Sequence, residues 1–166
     1  MKRMENLRAS LENWIYNFLS KQHSSFNNLP PCPYAKRAWT EGNVLVKEIK
    51  DPVAHNLNSE IDSCANNWPG KDVVIFAFDP KAITPYELTE LIDKVQHRIL
   101  DGQGLVALED HPEELEEIDS VVLNNGEHGL VLLQERTKLD EARKHLDALG
   151  YYKYWPEDYK KDVQSR

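Results

Sequence analysis

From Lys71 onward the hydrophobic period of the chain changes in a fixed order, and that order restricts the fold more than any other feature. Val73-Val74-Ile75-Phe76-Ala77-Phe78 is a β-rich apolar run bounded by charges, the pattern of a buried strand. Thr84-Pro85-Tyr86-Glu87 is a capping box with proline at the first helical position. Leu88, Leu91, Ile92, Val95 and Ile99 then give that helix one apolar face, and Gly102 and Gly104 end it. A second strand follows at 105–109 and a third at 129–134. Thr137 is placed to cap another helix, with Leu139, Ala142, Leu146 and Leu149 on one face and Gly150 at its C′ position. Tyr151-Tyr152-Lys153-Tyr154-Trp155 reads as a last strand, ended by Pro156. Strand, helix, strand, strand, helix, strand is the order of an α+β, ferredoxin-like (split βαβ) antiparallel sheet with both helices on one face.

The part before Lys71 is read as an addition to that sheet. Residues 1–9 and 157–166 are expected to be loosely ordered tails of a single domain spanning 1–166. Leu11, Trp14, Ile15, Phe18 and Leu19 fall at helical spacing, up to about Ser20. Asn43 to Ile49 alternates and predicts an extra strand. Asn58 or Ser59 is placed to cap a helix running to Asn67, where Trp68-Pro69-Gly70 stops it. The stretch from Asp110 to Glu127 is acidic and loop-like, with one helical turn expected between Glu113 and Asp119.

Charge limits the partners. The 166 residues carry a formal charge of −8, which argues against nucleic acid or an anionic membrane as a partner. No apolar run approaches the roughly 18 residues of a membrane span. The two cysteines, Cys32 and Cys64, form neither a disulfide framework nor a Cys-x-x-Cys site, so a cytoplasmic location is expected.

The chemistry concentrates in Leu29-Pro30-Pro31-Cys32-Pro33-Tyr34-Ala35-Lys36-Arg37-Ala38-Trp39. Three prolines stiffen the approach, and Pro33 suits the first turn of a short helix over 34–39. Cys32 then falls at an N-cap-like position, where the helix dipole and nearby cations favour a thiolate. Lys36 and Arg37 are candidate anchors for a substrate anion, with Tyr34 and Trp39 as aromatic neighbours. The plainer alternative is that Cys32 packs inside the turn and the two cations are ordinary surface charges.

These residues resemble a poorly characterised bacterial family marked by a Cys-Pro-Phe-Ala-Lys motif after a Trp-containing helix. The match here is Trp14 followed by Cys32-Pro33-Tyr34-Ala35-Lys36. A His-Pro pair after a strand is matched by His111-Pro112, and a Leu-x-Leu-Leu-Arg-Glu strand by Leu130-Val131-Leu132-Leu133-Gln134-Glu135. Gln134 stands where that family has arginine, and its Asn-Arg-Ser-Pro segment is absent. The resemblance implies a shared fold and singles out Cys32, Lys36 and His111. It implies no substrate.

In the expected topology Asp79, Asp110-His111 and His128 lie at one end of the sheet. His111 is therefore the candidate base for a Cys32 nucleophile, and His111, His128 and Glu109 are weak candidates for a metal site. Two functions follow. One is a binding module for a small molecule or a protein, of unknown ligand and unknown cofactor. The alternative is a small enzyme with Cys32 as nucleophile or ligand, His111 as base, and Lys36 and Arg37 on the substrate.

Overall fold

The computed structural model describes residues 2–166. The chain, read from its sequence as one domain, groups into two compact units. A sheet unit is formed by Gly42–Leu115 and Asn124–Thr137, and an aromatic unit by residues up to Glu41, Glu116–Leu123 and Lys138–Arg166.

The aromatic unit starts with α1, Lys2–Trp14, which runs on through a π-helical turn, Ile15–Leu19. A 3-10 turn, Ser24–Phe26, leads to α2, Ala35–Thr40. The sheet unit begins with β1, Val44–Glu48, then α3, Val53–Asn66, and β2, Val73–Phe78. Next come α4, Pro85–Val95, a π-helical turn, Gln96–Leu100, the short α5, Asp101–Gln103, and β3, Leu105–Asp110. The hairpin β4, Glu117–Ile118, with β5, Val121–Val122, belongs to the aromatic unit, and β6, Gly129–Glu135, returns to the sheet. Two helices close the chain, α6, Arg136–Ala148, and α7, Glu157–Ser165. No described helix is long and apolar enough to cross a membrane.

The fold is α+β with a mixed four-stranded sheet in the order β1-β2-β6-β3. β1 runs parallel to β2, with Val46 opposite Ile75. β6 runs antiparallel to both β2 and β3, with Leu132 opposite Ile75 and Leu133 opposite Ala107. Val74, Phe76 and Phe78, Leu105 and Ala107, and Val131 and Leu133 bury one sheet face with α3 and α4. These positions alternate along each strand, as the pleat requires. Ile75, Ala77, Val106 and Leu130 are buried between them, which is why the strands read as unbroken apolar runs.

Local chemistry fixes the ends of the elements. The Thr84 hydroxyl accepts from the Glu87 N–H at 3.2 Å and the Glu87 carboxylate accepts from the Thr84 N–H at 2.9 Å, completing the expected capping box. At the far end of α4, the Gln96 amide donates to the Leu105 carbonyl at 2.9 Å and accepts from the Ala107 N–H at 3.0 Å. One side chain thus satisfies edge groups of β3 that another strand would otherwise seek. Gly129 pairs with Phe78, and a Cβ there would lie 2.1 Å from the Phe78 ring.

Several expectations are corrected. Residues 2–9 are helical, because Leu7 and Leu11 extend the buried stripe of α1. α3 begins at Val53, since Val53 and Leu57 join Ile61 and Cys64 on its buried face. Thr137 lies inside α6, and residues 113–116 form a turn, a bend and irregular chain instead of a helical turn.

The expected strand at 151–155 is a run of turns. Gly150, at φ +78°, ends α6 in a Schellman arrangement, with Gly150 N–H to Asp147 O and Tyr151 N–H to Leu146 O, both at 3.0 Å. Lys153 N–H to Gly150 O and Trp155 N–H to Tyr152 O, both at 3.1 Å, keep the backbone turning. Tyr151, Tyr152 and Trp155 are thereby packed with Phe26, Ile118 and Leu146 as the core of the aromatic unit. Residues 157–165, expected as a tail, are the helix α7, whose Tyr159 and Val163 pack against the same core.

Candidate functional site

The rim of the sheet forms as its strand order requires. Phe78 pairs with Gly129 and Asp110 with Leu130, so Asp79, Asp110, His111 and His128 fall at one end. There His111 is 3% exposed. Its Nε2 lies 3.0 Å from the Pro80 carbonyl oxygen and 2.8 Å from that of Ile83. Its Nδ1 lies 3.1 Å from the Glu113 backbone nitrogen. Carbonyls only accept and a backbone N–H only donates, so the hydrogen sits on Nε2 and Nδ1 is the acceptor. Both nitrogens tie backbone together, and neither is left to take a proton from a nucleophile.

The other rim residues are engaged in the same way. Asp110 accepts from the side-chain amides of Asn124 and Asn125. Burial nevertheless pushes its carboxyl above the usual range, against the pull of those amides. Asn125 also donates to the His128 carbonyl at 3.0 Å and accepts from the Glu127 and His128 N–H groups at 3.0 and 2.9 Å. Among the described residues no three His, Cys, Asp or Glu side chains are grouped to hold a metal ion. His111, His128 and Glu109 are thus not brought together as one.

Cys32 belongs to the aromatic unit, whereas His111 belongs to the sheet unit. The Cys32 N–H donates to the Leu19 carbonyl at 2.9 Å. Burial pushes its thiol up, outweighing the Tyr34 and Ala35 N–H groups that favour the thiolate. The expected helix starts at Ala35 and has only six residues. Its cations are spent locally. Lys36 Nζ lies 5.6 Å over the Tyr16 ring, and Arg37 Nε meets Glu41 Oε1 at 2.9 Å. Trp39 donates from Nε1 to Glu12 at 2.8 Å and stacks under the Arg8 guanidinium at 4.8 Å. Tyr34 is 41% exposed, and burial, then the neighbouring Cys32, raises its phenol.

A different set of residues in the aromatic unit converges. Ser24, Asn27, Asn28, Asp119 and Tyr154 line an open cleft of about 250 Å³. Three short segments supply them. The loop after the Ser24–Phe26 turn closes with a bridge between His23 and Leu29, and its Asn28 N–H donates to the His23 carbonyl at 2.9 Å. The two-residue turn of the β4–β5 hairpin supplies Asp119. The turns after α6 supply Tyr154, which is half exposed, with Lys153 Nζ 5.2 Å over its ring. Two side chains brace the cleft from behind. Ser25 Oγ donates to Asp119 Oδ2 at 2.9 Å, and Asn27 Nδ2 donates to the Leu149 carbonyl at 3.2 Å.

The backbone of this cleft is unusual. Asn27, Asn28, Asp119 and Ser120 have φ of 55°, 60°, 49° and 66°. They are the non-glycine residues of positive φ among the described residues, and every other positive-φ position is glycine. Asparagine and aspartate tolerate that region better than most residues, but glycine occupies it without steric cost. Here the chain keeps side chains where glycine would be easier.

Searches against protein-family models, curated proteins and solved structures found no match.

The cleft therefore carries the functional reading by its own chemistry. It offers one carboxylate, two carboxamides, an aliphatic hydroxyl and a phenol, donors and acceptors together. None of these residues stands out by charge or nucleophilicity. Their signals in the sequence were Asn27-Asn28, a pair able to turn left-handed, and Asp119-Ser120 between Ile118 and Val121, a hairpin pattern.

Proposed function

We propose that this protein is a binding module and that a small polar molecule occupies the cleft of Ser24, Asn27, Asn28, Asp119 and Tyr154. The observation that carries this reading is the set of side chains kept at left-handed backbone positions there. Such conformations cost on the order of 1–3 kcal/mol each and collect at ligand-binding and active sites. A backbone so fixed loses little further freedom on binding, which lowers the cost of capturing a ligand.

The alternative of a Cys32 enzyme has less behind it. The thiol is pushed up, the His111 nitrogens are held by backbone groups, and the nearby cations pair with their own neighbours. The two free cysteines fit a reducing, cytoplasmic setting. We read the sheet as a variant of the ferredoxin-like arrangement, with β6 between β2 and β3 and β1 at the edge where the C-terminal strand would pair.

The test is a ¹H–¹⁵N titration of the full chain with a mixed set of small polar compounds: amino acids, nucleosides, sugars, polyamines and dicarboxylates. Saturable shifts of the Ser24–Asn28, Asp119–Ser120 and Lys153–Tyr154 amides, lost in Tyr154→Ala, are expected. No response at those amides to any compound would sink the reading.

A further inference from the structure

We infer that the ligand of this cleft is a neutral polyhydroxylated molecule, one sugar ring or a polyol of that size. The inference rests on the binding reading above and adds the chemical class.

Charge removes two classes. Asp119 is the one carboxylate lining the cleft and no lysine or arginine lines it, so carboxylates and phosphates meet its repulsion, which the Lys153 ammonium over the Tyr154 ring offsets only in part. A cationic ligand would meet Asp119 but also the Lys153 ammonium, which already stands over the Tyr154 ring. That ring's electrostatic attraction for a cation is therefore partly used.

Hydrogen-bond chemistry selects among neutral ligands. Asp119 is acceptor-only, and one of its oxygens already holds the Ser25 hydroxyl. The carboxamide of Asn28 and the hydroxyls of Ser24 and Tyr154 can each donate and accept. A ligand matched to this mixture must itself both donate and accept from neighbouring atoms. Adjacent hydroxyls do so, and two of them span a planar carboxylate or carboxamide in the forked manner of two parallel hydrogen bonds. Tyr154 adds an exposed aromatic surface, against which the C–H side of a sugar ring can pack. Size agrees: about 250 Å³ lies just under the ~300–1,000 Å³ of pockets for drug-sized ligands, which leaves room for a single ring.

The test compares three probe classes on the full chain by the same ¹H–¹⁵N titration. Glucose, galactose, mannose and myo-inositol are the polyols, tetramethylammonium the cation, and acetate and inorganic phosphate the anions. At least one polyol is expected to shift the Ser24–Asn28, Asp119 and Tyr154 amides saturably. Tyr154→Ala should weaken it about tenfold. Asn28→Gly, which removes a cleft side chain and suits the left-handed backbone, keeps the test independent of misfolding and should weaken it too. If tetramethylammonium or an anion saturates those amides and no polyol does, the chemical class is overturned while the cleft stands as a binding site. If no probe of any class moves them, the chemical class falls, and the binding reading falls with it only when the wider compound set above is silent too. Polyol shifts confined to other surfaces overturn the inference as well.

Discussion

Asn125 and Asn28 are both asparagines in tight loops, and they do opposite things. Asn125 turns its amide inward, giving its hydrogens to Asp110 and the His128 carbonyl and taking those of Glu127 and His128. Asn28 holds a left-handed backbone and lines an open cleft. The contrast extends to the regions around them. In the sheet unit, polar side chains close backbone groups: His111 at the rim and Gln96 along β3. At the cleft of the aromatic unit, the backbone is bent to present polar side chains. A cluster of titratable residues is thus a poor guide to function by itself. What matters is whether its polar atoms are already matched from within.

The comparison breaks most readily at His111. If the rim is a structural lock, His111→Ala strands the Pro80 and Ile83 carbonyls, the latter in a buried place, takes away the partner of the Glu113 N–H and leaves a cavity where the ring was. The expected loss is about 3 kcal/mol by urea unfolding. A loss below about 1 kcal/mol would make the histidine dispensable to the fold and reopen a chemical role for it.

Gln96→Leu is the next largest. It strands the Leu105 carbonyl and the Ala107 N–H on β3, for an expected cost of about 2 kcal/mol. It also uncovers strand-pairing groups, so sedimentation should show more self-association in the variant than in the parent chain. A variant of unchanged stability and unchanged sedimentation would mean that Gln96 guards nothing.

Asp110 sharpens the comparison through pH. Burial raises its carboxyl above the ordinary 3.8, so between 3.8 and the raised value the folded chain holds this proton more tightly than the unfolded chain. Stability from this group is full below that window and is lost as pH rises through it. Asp110→Asn removes the dependence. The stability of the parent relative to the variant should therefore increase as pH falls from about 7 to about 4. A difference that shrinks over that range would mean that the amides of Asn124 and Asn125 outweigh burial.

What could be read from the sequence divides along the same line. The sheet unit was legible because its elements are set by local patterns: Val73–Phe78, the Thr84–Glu87 box and the Gly129 strand all form where expected. The aromatic unit was not. Tyr151 to Trp155 has strand-forming residues, yet its buried members Tyr151, Tyr152 and Trp155 continue to Tyr159 at three- and four-residue steps, a helical spacing. Pro156 followed by Glu157 and Asp158 is a helix start that an expected tail concealed. Cys32 drew notice by its chemistry, while burial, which opposes that chemistry, is a tertiary property that no motif displays. The cleft escaped because backbone φ is not written in residue type: Asn27-Asn28 fits many loops.

The smallest effect tests the cleft's half of the contrast most directly. If Asn28 is kept for binding, the fold gives up stability to keep it, and Ser120 is the control. Ser120 holds the second central position of the hairpin turn, at φ 66°, where glycine is the usual residue. Ser120→Gly and Asn28→Gly should each stabilise the chain by about 0.5–1 kcal/mol in urea unfolding, because glycine relieves the left-handed backbone. Ser120 does not line the cleft, so its variant should bind as the parent does, whereas the Asn28 variant should bind more weakly. Stability and binding would then move in opposite directions at Asn28 alone, the signature of a residue held for a ligand at the expense of the fold. A destabilised Asn28→Gly would show instead that this side chain supports the loop, as Asn125 supports the rim, and the difference between the two asparagines would disappear.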